Sequence, residues 1–189
     1  MKTPDHTKIY AVLLCIVLFL PSMAFATDAK LTGIEVSNNR DDLLLFLKVD
    51  GAFNKKLKEA VLNGIPATFS FFITLEESRT LWPDKTITEL NVTHELKYNN
   101  LKNHFIVKRS WEGNKPLTTE SFEDARQLMS EIKSLKLVSL KKLTKGSKYQ
   151  VNAKAELDKV KLPFLLNYIL FFASLWDFET DWQSFEFDY

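Results

Sequence analysis

The chain has one cysteine and three histidines in 189 residues. Cys15 sits inside an apolar run near the start, and His6 precedes that run. Lys2 and Lys8 lead into the run, which spans residues 9–20, and Pro21 breaks it. Ala24-Phe25-Ala26 then fits a small-x-small cleavage site. Residues 1–26 therefore read as a secretory signal peptide. An uncleaved anchor is the alternative, but the run is shorter than the roughly 20 residues a spanning helix needs. Cleavage leaves 163 residues with no cysteine, hence no disulfide, no thiolate metal ligand and no cysteine nucleophile. It also leaves no net charge, because Lys2, Lys8 and Asp5 depart and acids and bases then balance. That balance gives no broad attraction to nucleic acid or to anionic membranes.

Signatures of catalysis are scarce as well. There is no Gly-rich phosphate loop, no nucleophile elbow and no zinc motif. His94 and His104 are ten residues apart on two strands of one hairpin, with side chains expected on opposite faces. A metal held by both needs a third ligand that no spacing supplies. Glu76 and Glu77 are adjacent and should point to opposite faces, which argues against an acid/base pair. Asn91-Val92-Thr93 matches a glycosylation sequon, which matters only in a eukaryotic secretory route. No cofactor is expected.

What is present is alternation. From Ile65 to Leu75 the odd positions Ile65, Ala67, Phe69, Phe71, Ile73 and Leu75 are all apolar. Side chains alternate across a strand, so this is a long strand with one buried face. Gly64-Ile65-Pro66 forces an extended start. The pattern weakens at Glu76-Glu77-Ser78, where a bulge or bend is expected. Strands are also expected over residues 31–37, with Ile34 and Val36 inward, and over 42–50, covered on both sides. Further strands fall at 86–98, 105–111, 136–143 and 148–157, and residues 178–189 form a last aromatic strand or tail. A short helix follows Asn54, whose side chain can cap it, with Leu57, Ala60 and Val61 as its stripe. A second helix spans residues 121–134, with Ser121 and Asp124 resembling a capping box and Ile132 closing its stripe. Residues 112–119 are a loop.

Loop parity makes the three strands from Ile65 to Trp111 share one apolar face in an antiparallel meander. Tight turns at Pro83-Asp84 and Asn100-Leu101 would set His94 beside Ile73 or Leu75, and Arg109 opposite Val92. His94 and Arg109 are the polar exceptions on that face, with Trp111 beside them. Each needs a hydrogen-bond partner if buried. Together His94, Arg109 and Trp111 are the candidate polar contacts of a ligand-binding concavity. Residues 162–176 form a very apolar run, too short to span a bilayer. A core helix is favoured there over one lying on a membrane, because only Asn167, Tyr168 and Ser174 interrupt it. With no long-period repeat and no linker, residues 27–189 make a single mainly β domain. The expected fold is an antiparallel β-sandwich, Ig-like or a single curved sheet, with two or three helical insertions.

Several local pieces, in this order, resemble the uncharacterised bacterial family catalogued as domain of unknown function 4390. They are Gly64-Ile65-Pro66, Trp82, Leu96-Lys97-Tyr98-Asn99 with Leu101, Phe122 with Ala125, Tyr149-Gln150-Val151, Leu162-Pro163, and the closing stretch from Trp176 to Trp182. The chain departs from that pattern at Phe105-Ile106, in place of Tyr-Arg, and at Phe164-Leu165, in place of a second proline. The resemblance implies a bacterial exported protein and transfers no reaction and no catalytic residue. Genes of that family can lie near membrane sensor kinases, so the resemblance implies a partner in envelope signalling by association only. The expected function is thus a periplasmic, secreted, non-enzymatic envelope protein acting as an interaction module, with a membrane sensor kinase among its partners. Membrane association is not favoured. The alternative is a carrier or sensor of an apolar, lipid-like ligand, with an enzyme using His94 third.

Overall fold

A computed structural model describes residues 29–158 and 178–189. The expected leader and the apolar run at 162–176 lie outside the described residues. Nine strands and two α-helices are present among them. A three-stranded sheet joins β1 (Lys30–Asn38), β2 (Asp42–Asp50) and β7 (Glu131–Ser139), in the order β1-β2-β7. A six-stranded sheet has the order β6-β5-β4-β3-β8-β9. Its members are β3 (Ala67–Glu77), β4 (Lys85–Asn99), β5 (His104–Arg109), β6 (Leu117–Thr119), β8 (Lys148–Leu157) and β9 (Gln183–Asp188). All pairings are antiparallel. The inner faces of the two sheets share one hydrophobic cluster, so the architecture is a mainly β, sandwich-like fold with two helical insertions.

Alternation explains the central strands. Phe69, Phe71, Ile73 and Leu75 of β3 are fully enclosed, as are Tyr149, Val151, Ala153 and Ala155 of β8. On β2 the odd face from Leu43 to Val49 is buried and Leu44 and Phe46 opposite are half-buried, so cover on the second face is partial. Helix α1 (Lys55–Leu62) is capped by Asn54, whose side chain accepts from the Leu57 amide at 2.9 Å, and it buries Leu57, Ala60 and Val61. Gly64 follows at φ +85°, a left-handed position that suits glycine after a helix.

Irregularities set the registers. In β1, one extra residue between Thr32 and Glu35, with Gly33 at φ +59°, switches the inward parity from Leu31 to Ile34 and Val36. The β3–β4 connection runs over residues 78–84, longer than a tight turn at Pro83-Asp84. A register shift between Leu75 and Glu76 then restores odd-to-even pairing. His94 consequently faces Phe69, not Ile73 or Leu75. On its other side it faces Arg109 directly, because the β4–β5 turn centres one residue later than Asn100-Leu101. Helix α2 (Phe122–Ser130) also ends sooner than expected, and β7 starts at Glu131 without a linker. Ile132 is buried, but from the strand. That strand stops at Ser139, where a 3-10 turn (Leu140–Lys142) takes over the tail of the expected 136–143 strand. The loop expected at 112–119 contains the short edge strand β6. Residues 178–189 supply β9, preceded by a bridge between Glu156 and Glu179.

Candidate functional site

His94, Arg109 and Trp111 do come together, at the C-terminal end of α2. The last four carbonyls of a helix have no partner within it. In α2 the Gln127 carbonyl accepts from the Glu131 amide. The Leu128 carbonyl accepts from Arg109 Nε at 3.1 Å and Nη2 at 2.8 Å. The Met129 carbonyl lies 2.8 Å from His94 Nδ1. The last turn of α2 carries no basic residue of its own. Arg109, reaching over from β5, puts the positive charge that favours the negative end of the helix dipole there instead.

Trp111 completes the cluster. Arg109 ends β5, and the chain enters a 3-10 turn, Ser110–Glu112. The Ser110 hydroxyl accepts from the Thr93 amide at 2.9 Å, tying that turn to β4. Gly113 and Asn114 follow at positive φ, and the Asn114 amide returns to the Arg109 carbonyl at 2.9 Å. The chain thus folds back and brings Trp111 Nε1 within 3.0 Å of His94 Nε2. An indole N–H can only donate, so Nε2 must accept and the proton resides on Nδ1, which donates to Met129. His94 is therefore neutral. It has no exposure, and its ring packs 4.8 Å from that of Phe71. Burial lowers its pKa to about 4, with the Arg109 charge adding to that and the Met129 bond opposing it. Arg109 also pairs with Glu112 Oε1 through Nη1 at 3.2 Å. Among the described residues, no buried side-chain nitrogen or oxygen lacks a hydrogen-bond partner. The cluster thus holds helix to sheet, its donors and acceptors engaged within the chain.

A second feature was not visible in the sequence. A half-open cleft of about 320 Å³ lies beside α2, lined by Lys48, Asp50, Phe53, Arg126, Gln127 and Glu131 among others. Its charges are locally matched. Lys48 meets Asp50 at 2.7 Å, and Arg126 meets Glu123 at 2.6 Å. Hydrogen bonds from Lys48 and Thr32 hold the Asp50 carboxyl below its usual range. The wall combines the end of β2, the following loop and one side of α2, so no contiguous motif announces it. His104 is half-buried on β5, opposite Asn99, away from the cluster. Glu76 and Glu77 serve local structure, accepting from Asn152 at 3.1 Å and Ser147 at 2.9 Å. Among the described residues no three His, Cys, Asp or Glu side chains gather as a metal site would require.

The family described as domain of unknown function (DUF4390) matches residues 26–186. No curated protein and no solved structure matches the chain.

Proposed function

The chain belongs to the DUF4390 family, and from that premise we propose that it is an exported, non-enzymatic envelope protein whose β domain works as an interaction module, with a membrane sensor kinase as a partner. The observation that carries this reading is the engagement of His94, Arg109 and Trp111 in anchoring α2. The residues best suited to chemistry serve architecture, as in a rigid scaffold that presents its surface. The family match begins at residue 26, where the expected leader ends, which supports a shared domain that excludes the apolar run. A lipid-like ligand would have to reach the inner sheet face at His94, which is closed by Phe71 and Trp111.

The test is fractionation of the expressing cell, with intact mass measurement of the accumulated protein and affinity recovery from crosslinked membranes. The expected result is a periplasmic species starting at Thr27 and one envelope protein recovered reproducibly. A full-length cytoplasmic species, or recovery that varies from one preparation to the next, would remove the proposal. Native mass spectrometry showing a co-purified lipid would favour the carrier instead.

A further inference from the structure

The β3–β4 connection, residues 78–84, holds two large apolar side chains out in solvent. Leu81 is 89 % exposed and Trp82 74 %. The connection is braced. The Arg79 amide donates to Asp84 Oδ1 at 3.0 Å, and the Ser78 amide donates to the Lys148 carbonyl at 2.9 Å. Leu81 and Trp82 therefore project from a supported hairpin.

Four cations lie at or near its base. Arg79 and Lys85 belong to the hairpin itself. Lys145 lies in the turn before β8, and Lys148 is the first residue of β8. The Ser78–Lys148 bond and a 2.9 Å bond from Ser147 Oγ to Glu77 Oε1 tie that part of the chain to the hairpin. All four cations are exposed, and among the described residues none belongs to an ion pair. The nearby carboxylates are partnered: Glu76 accepts from Asn152. Glu77 accepts from Ser147, Asp84 from the Arg79 amide, and Asp188 stands opposite Lys148 in the strand register. The tip thus carries unpaired cations beside its two exposed apolar side chains.

This combination suits a lipid surface better than a protein. A stable protein interface buries about 800 Å² on each side, which two side chains at a narrow tip do not provide. A tryptophan ring, apolar with one polar N–H, settles at the level of lipid headgroups, and lysines near it meet anionic phosphates. We propose that the β3–β4 tip is a membrane-docking element: Leu81 and Trp82 enter the headgroup boundary of an anionic bilayer while these cations contact its phosphates. This goes beyond the interaction-module reading and does not depend on it.

The experiment uses the protein in the form the cell accumulates. It is sedimented with vesicles of phosphatidylglycerol and phosphatidylethanolamine, and separately with phosphatidylcholine vesicles. The expected result is salt-sensitive binding to the anionic vesicles. Leu81→Ala with Trp82→Ala should cut it about tenfold or more. Arg79→Glu with Lys145→Glu should weaken it on anionic vesicles only. Brominated lipid should quench part of the wild-type tryptophan emission, and Trp82→Phe should lose that part while still sedimenting. All four substituted side chains are exposed, and unchanged thermal melts would show that the fold is kept. Wild-type protein that stays in the supernatant overturns the proposal. So does a Leu81/Trp82 double variant that binds as well as wild type, which would place the membrane contact elsewhere in the chain.

Discussion

His94 is neutral because both of its ring nitrogens are committed, and that makes it a source of acid sensitivity. Its folded pKa of about 4 lies below the ordinary value of 6.5. Above pH 6.5 neither state is protonated and the site leaves stability unchanged. Between pH 6.5 and about 4 the unfolded chain takes up a proton that the folded chain refuses, so stability falls as pH falls. The full loss is on the order of 3 kcal/mol. Urea titrations at pH 7 and pH 4.5 should show that loss in the wild type and a smaller one in His94→Gln, whose side chain does not titrate. An equal acid loss in both proteins would mean that His94 is not its source. Arg109 contributes differently, through two bonds to one carbonyl. Arg109→Leu orphans the Leu128 oxygen and frees Glu112, and should cost about 2–3 kcal/mol. Arg109→Lys should recover little of this, because an ammonium cannot reproduce the paired Nε and Nη2 contacts. Denaturant midpoints of the two variants give the comparison.

Among the elements, α2 is the helix that side chains secure at both ends. Ser121 accepts from the Asp124 amide at 3.3 Å at its start, and the β4–β5 cluster takes its last carbonyls. Ser121→Ala should therefore cost about 1 kcal/mol, the ordinary value of a lost cap. Hydrogen exchange should show the first turn of α2 loosened and its last turn unchanged; loosening of the whole helix would mean that the far anchor is weaker than its geometry implies. Both caps were readable in the sequence, since Asn54 and Ser121 precede apolar stripes at helical spacing. The bounds of β8 were readable because unbroken alternation leaves one choice of face, and those of β2 because Asp42 and Asp50 close its apolar run. Register was not, because it depends on loop length and bulges. Seven residues at 78–84 and the shift at Leu75/Glu76 kept the parity while moving His94 from Ile73 or Leu75 to Phe69. The end of α2 was misread because Ile132 satisfies the helical stripe and is also buried as a strand residue. The site was half legible. His94 and Arg109 stood out as polar residues on an apolar face, with Trp111 beside them, but the partners that tie them to α2 are backbone carbonyls, which leave no trace in side-chain pattern.

At the scale of the molecule, the two sheets share one core, with Phe69 and Phe71 from one side and Leu45 and Leu47 from the other in the same cluster. Unfolding should therefore be a single transition, with far-ultraviolet circular dichroism and tryptophan fluorescence superimposing through urea. Two separated midpoints would mean that the three-stranded sheet opens on its own. The order of strands along the chain also differs from their order in space. β3 at the centre of the large sheet pairs with β8, and Ser70 bonds to Asp158 across 88 positions. β2 likewise waits for β7. A chain made from its N-terminus cannot finish either sheet until most of its length has been synthesised. Contacts this distant in sequence slow folding, because long loops must close before any pairing rewards them. A nascent chain arrested before β8 should stay protease-sensitive, and the completed one should not. Strand order thus acts as a delay: neither sheet can set while the chain is still short.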